Sequence, residues 1–169
     1  IFNIEREYRN TQGSSVCKLF DLTFAMTGLS EKQAKKNSIN YDKVYVHPAS
    51  HASYYPGATS ISLKLIYDPE TAKVLGAQAV GLDGVDKRID VLAVAVRGGL
   101  SVYDLEELEL CYAPPYGSAK DPVNYAGMVA ANILRGSAEH FHADYVDRLG
   151  ENEKLLDVRT REEVMAGAI

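Results

Sequence analysis

Ile61–Gly81, ISLKLIYDPETAKVLGAQAVG, decides the fold. Ile61, Leu63, Leu65 and Tyr67 alternate with Ser62, Lys64, Ile66 and Asp68, the period of two that sends successive side chains to opposite faces of a strand. Ile66 alone breaks the pattern. Asp68-Pro69-Glu70-Thr71 has turn chemistry, and Val74–Gly81 returns as the next strand, so the stretch predicts an antiparallel hairpin. Just beyond it the period changes. Val85, Ile89, Leu92 and Val96 share one helical face, Lys87, Arg88 and Arg97 fall elsewhere, and Gly98-Gly99 stop the helix.

Upstream of the hairpin, Ser14–Thr27 (SSVCKLFDLTFAMT) is rich in apolar and β-branched residues and reads as one long strand or a bent hairpin arm. Ser30 with Gln33 is a capping-box pattern, predicting a short helix to about Asn37. Lys43–Ser50 reads as a strand around Val44-Tyr45-Val46, and Tyr54-Tyr55-Pro56-Gly57 has turn chemistry. Downstream, Tyr103–Leu110 reads as a helical turn and the proline-containing Cys111–Lys120 as irregular. Asp121-Pro122 is a helix start: a capping carboxylate, then a proline where the missing N–H does no harm. Val123, Gly127, Ala130, Ala131 and Leu134 give that helix a small apolar face, suited to close packing and expected to serve a dimer seam, and Gly136 ends it. The expectation is an α+β fold: an antiparallel sheet of three or more strands packed against helices.

The expected organisation is a domain over 1–136, a linker over 137–154 and a truncated further domain over 155–169. Within the last, Leu155–Arg159 reads as a short buried strand and Thr160 with Glu163 opens a helix. Ile1 is not a start residue, and the chain reads as a piece of a longer protein.

Composition excludes several classes. Hydrophobic residues make up 46% and charged residues 24%, the balance of a globular chain. A net charge of -5 argues against a nucleic-acid partner, and no apolar run approaches membrane-spanning length. Cys17 and Cys111 stand in apolar surroundings, so each is expected to be a buried small hydrophobe in a reducing compartment. No Gly-x-Gly and no Cys-x-x-Cys occurs. No flavin, nicotinamide or metal is therefore expected on these residues. His47 and His51 are separated by Pro48, and His140 and His142 lie in the linker.

The stretch Tyr112-Ala113-Pro114-Pro115-Tyr116-Gly117 carries the chemistry. Two prolines stiffen the backbone and fix two tyrosines just before a helix N-terminus. One reading is a rigid loop whose rings fill a dimer seam. The other is a phenol held out to a substrate, donating a hydrogen bond or a proton.

Ser14–Gly28, His51–Gly57 (HASYYPG), Gly84–Val91 (GVDKRIDV) and Tyr112–Asn124 (YAPPYGSAKDPVN), taken in order, resemble the C-terminal dimerisation domain of the pyridine nucleotide-disulfide oxidoreductases, closest to coenzyme A-disulfide reductases. The resemblance spans about residues 10–136. It implies a homodimer whose FAD and NAD(P)H are held by flavin and nicotinamide domains elsewhere in the parent, with a coenzyme A-type disulfide, persulfide or polysulfide as substrate and a cytoplasmic setting. Alone, the chain is expected to be inactive. It also implies that two tyrosines reach the partner subunit's active site. Tyr54, two residues before Pro56-Gly57, and Tyr112, opening the Tyr-Ala-Pro-Pro-Tyr motif, match them; Tyr55 and Tyr116 are alternatives. For Lys87 and Arg88 a structural ion-pair role is expected. The same domain occurs in NADH oxidases and peroxidases, and a purely structural dimerisation module is a further alternative. Leu155–Ile169 (LLDVRTREEVMAGAI) resembles the first strand and helix of rhodanese domains.

Overall fold

The computed structural model describes residues 7, 8 and 10–167. The first six residues of the expected domain and the last two of the rhodanese-like stretch lie outside them. Contacts divide the chain into two units, 1–138 and 139–169.

The first unit is one five-stranded antiparallel sheet covered by helices. Its strands are β1 (Ser15–Leu19), β2 (Leu22–Gly28), β3 (Asp42–Val46), β4 (Ile61–Tyr67) and β5 (Val74–Gly81), in spatial order β1-β2-β5-β4-β3. The deciding hairpin forms as expected, with Leu63 opposite Ala79 and Leu65 opposite Ala77. Asp68 builds its turn, its carboxylate accepting from the N–H of Glu70 at 2.8 Å and the hydroxyl of Thr71 at 2.7 Å.

Ser14–Thr27 is not one strand but two. The chain reverses at Phe20-Asp21, Phe20 taking a positive φ of 53°, and Leu19 pairs with Leu22. Asp21 is the one turn-forming residue at the reversal, and the apolar Leu19, Phe20 and Leu22 around it mask that signal. Both cysteines are exposed, contrary to expectation. Cys17 lies on edge strand β1, all of whose residues are exposed, and Cys111 in an irregular loop.

One face of the sheet carries the core. Helix α2 (Val85–Gly98) covers β2 and β5, while α4 (Pro122–Leu134) covers β3 and β4. Ile61, Leu63, Leu65 and Tyr67 bury against Val85, Leu92, Val123 and Ala130. Burying each such side chain favours folding by about 1.5–3 kcal/mol. Helix α1 (Glu31–Lys36), with the predicted capping box at Ser30 and Gln33, lies against the opposite face, where Lys43 and Lys64 reach its Glu31. Ile66 shares the face of Lys64 yet is fully buried. The rest of this face is open and apolar, forming a groove lined by Phe24, Met26, Tyr45 and Val80.

The small face of α4 is consumed inside the chain and is not free for a seam. Helix α3 (Val102–Glu107) packs so closely on it that a Cβ on Gly127 would stand 2.7 Å from that of Leu105 and 2.6 Å from the Glu106 nitrogen.

In the second unit, a 3-10 helix (Ala143–Arg148) interrupts the expected linker, and α5 (Arg161–Met165) has the predicted cap, Thr160 with Glu163. Leu155–Arg159 is not a buried strand. Leu156 and Val158 are 80% and 87% exposed, because no described strand pairs with this segment to give it an inside. Among the described residues no helix is long and apolar enough to cross a membrane.

Candidate functional site

Two loops meet at one end of the sheet. The first leaves β3 and returns to β4, and its neck is tied: Ser50 N–H donates to Thr59 O at 2.7 Å, Thr59 N–H donates to Ser50 Oγ at 3.2 Å, and Ala49 bridges Ser60. Inside it, Tyr55 N–H closes a turn on Ala52 O at 2.9 Å, and Gly57 takes the positive φ (90°) needed to turn the chain back. The second loop joins α3 to α4. Ala113 O accepts from the N–H of Tyr116 at 2.8 Å and of Gly117 at 3.0 Å, coiling the Pro114-Pro115 segment on itself. A backbone bond from Ala52 N–H to Gly117 O, 3.1 Å, ties the two loops together.

This arrangement brings Tyr54 and Tyr112 side by side, although 57 positions separate them in the chain. A hydrogen bond with Tyr112, aided by a little desolvation, raises the Tyr54 phenol above its ordinary pKa, so it stays protonated at neutral pH. Both rings are open to solvent, 75% and 52% exposed. A phenol hydroxyl can donate one hydrogen bond, so two exposed phenols brought close together can offer a donor to an arriving anion. The alternatives sit differently. Tyr55 stands edge-on to the buried His51 ring at 5.8 Å, and Tyr116 is 72% exposed.

Beneath the loops lies a residue whose importance the sequence pattern did not reveal. Arg88, expected off the apolar stripe of α2, is 2% exposed and on its inner side. Its Nη2 donates to Ser50 O at 2.6 Å, its Nη1 to Gly84 O at 3.1 Å and its Nε to Asp121 Oδ2 at 3.1 Å. The expected ion pair is therefore formed by Arg88, with Asp121 at 3.0 Å, whereas Lys87 has none among the described residues. Asp121 does double duty, capping α4 through Val123 N–H at 3.1 Å. Gly84 has a positive φ (68°), and a Cβ there would stand 2.1 Å from Arg88 Nη1, so the glycine makes room for the guanidinium. A usable signal was present: positions 85, 88, 92 and 95 step along one helical face, and an arginine on such a stripe must find partners inside.

The family model described as "pyridine nucleotide-disulphide oxidoreductase, dimerisation domain" matches residues 14–122, a span containing both loops and the whole sheet. The chain belongs to this family. Members are FAD- and NAD(P)H-dependent oxidoreductases. A coenzyme A disulfide reductase of Staphylococcus aureus (strain bovine RF122 / ET3-1) is 42% identical over 124 residues, 73% of this chain and 28% of that protein. The crystal structure of reduced Bacillus anthracis CoADR-RHD is 50% identical with a TM-score of 0.92, covering 96% of this chain and 29% of that one. The structure of a NAD-dependent persulfide reductase from A. fulgidus is 38% identical with a TM-score of 0.82, covering 92% and 28%. The chain thus spans under a third of the relatives it matches.

The dimerisation domain is not itself of the doubly wound, dinucleotide-binding type. Its sheet is antiparallel throughout, and among the described residues there is no parallel strand-helix-strand turn whose glycines would let the backbone approach a pyrophosphate.

Proposed function

We propose that this domain completes the active site of an FAD-dependent NAD(P)H:disulfide oxidoreductase acting on coenzyme A disulfide or a related persulfide or polysulfide. In this reading it does so in a cytoplasmic homodimer, presenting Tyr54 and Tyr112 to the partner subunit's site. The observation that carries the reading is the convergence of two exposed phenols on distant loops, tied by the Ala52–Gly117 bond, over an internally satisfied base. Resemblance to a coenzyme A disulfide reductase and a persulfide reductase supports the substrate class. With the small face of α4 used internally, the open apolar groove of the sheet offers a surface for a second protomer or for the parent's other domains. The segment from Leu155 to Ile169 is proposed as the opening of a rhodanese-like unit.

In the parent, reduced nicotinamide and flavin would supply the electron pair. A thiolate attacks one sulfur of the substrate, the S–S bond breaks, and the other sulfur leaves as a thiolate. The tyrosine pair donates a hydrogen bond to that developing charge and can pass it a proton, help that is worth more in the transition state than in the ground state. Tyr54→Phe and Tyr112→Phe in the full-length dimer should slow the disulfide half-reaction by about 10²-fold, the double change more, while reduction of the flavin by NAD(P)H is nearly untouched. Stopped-flow kinetics separates the two. An unchanged disulfide half-reaction would return the tyrosines to surface packing. Sedimentation of the isolated domain should show self-association, and a monomer across micromolar concentrations would argue against an autonomous seam.

A further inference from the structure

The two loops share one anchor. Ser50, whose carbonyl Arg88 holds at 2.6 Å, is the neck of the Tyr54 loop, four residues before the tyrosine. Asp121, whose carboxylate Arg88 holds at 3.1–3.3 Å, is the end of the Tyr112 loop and the cap of α4. The direct tie from Ala52 to Gly117 lies between these points. We propose that Arg88 is a positioning residue of the tyrosine site, its planar guanidinium setting the spacing of Tyr54 and Tyr112; the inference rests on the function proposed above and assigns what holds that site in register.

Stability alone gives little reason for an arginine there. A buried ion pair is often no more stabilising than apolar residues of the same volume, since desolvation offsets the attraction. A leucine would continue the stripe of Val85, Leu92 and Ala95. What apolar packing would not supply is direction. The guanidinium fork donates in fixed directions to acceptors on three separate segments, at residues 50, 84 and 121. Lysine keeps the charge but offers one nitrogen on a flexible stem. Reacting groups displaced by about 1 Å can lose on the order of 10²-fold in rate, so an anchor that prevents such drift controls chemistry it never touches.

The test uses the full-length flavoprotein and stopped-flow separation of its half-reactions. Arg88→Lys and Asp121→Asn are each placed in the natural sequence and in a Tyr54→Phe/Tyr112→Phe background. Asp121→Asn keeps a capping side chain on α4, and it carries the test should Arg88→Lys fail to fold. The expected result is a loss of about tenfold or more in the disulfide half-reaction with flavin reduction unchanged, and disappearance of that loss once the tyrosines are phenylalanine. Equal slowing of both half-reactions, a loss that persists in the phenylalanine background, or no loss in either variant would overturn the proposal. Should the phenylalanine pair alone leave the disulfide half-reaction unchanged, the functional reading fails and this inference with it. Should the pair slow it while the Arg88 and Asp121 variants do not, only this inference falls.

Discussion

Two charge centres hold the sheet to its surroundings, and they are built in opposite ways. At α1, a single carboxylate, Glu31, receives three ammonium groups: Lys43 at 2.7 Å, Lys35 at 3.0 Å and Lys64. Tyr41 adds its hydroxyl at 3.0 Å. Beneath the tyrosine loops, a single guanidinium serves one carboxylate and two backbone carbonyls. The first centre is redundant and partly wet, with Glu31 18% exposed and Lys35 68%. The second is dry, Arg88 and Asp121 being 2% and 6% exposed. Redundant point charges pin a helix to a sheet while tolerating small shifts. A single dry fork tolerates none, which suits the base of a site and makes it the weaker point under mutation.

That contrast can be tested by removal. Arg88→Met leaves Asp121 charged, buried and unpaired, and should cost about 3–5 kcal/mol, read by urea unfolding; a loss no greater than that of Glu31→Gln would erase the distinction. Glu31→Gln should cost roughly 1–3 kcal/mol, and Lys43→Met or Lys64→Met alone less than about 1 kcal/mol, because the remaining ammonium groups close in. Tyr54→Phe should change stability by less than about 0.5 kcal/mol, since its ring is exposed, so any kinetic effect would belong to the site and not to the fold.

The Glu31 centre also carries a pH signature. Burial by itself would raise this carboxyl, but hydrogen bonds from Lys43, Lys64, Lys35 and Tyr41 outweigh it and hold the group well below the usual carboxylate range. A depressed folded-state pKa gives stability that is present in full above the unfolded value, 4.5, and is lost as pH falls below it. The gap in unfolding free energy between the natural chain and Glu31→Gln should therefore be constant near neutrality and shrink progressively below about pH 4. A gap that stayed constant down to acid would mean the lysines contribute by packing only.

Local chemistry made much of this legible from the chain alone. The caps at Ser30, Asp121 and Thr160 and the Asp68 turn depend on residues within three positions of each other, and each forms as read. The alternation of Ile61–Tyr67 and the helical stripe from Val85 gave the sheet and its cover. Tyr54 and Tyr112 are proposed through family resemblance, not through spacing. What the pattern missed are matters of partner and exposure. Apolar neighbours of Asp21 hid the reversal at Phe20-Asp21, and Cys17 is exposed because β1 is an edge strand whose residues are all exposed. Leu156 and Val158 look like core residues but are exposed, with no described strand paired to their segment.

Sequence by itself determined the elements, their order and their ends, because capping, turn and periodicity energies act between neighbours in the chain. Only the tertiary structure decided that the small face of α4 closes on α3 and that Arg88 reaches Ser50 and Asp121 at once. Those outcomes depend on which surfaces meet across 20 to 40 positions of chain, and a hydrogen-bond donor carries no mark in the sequence of the acceptor that folding will bring to it.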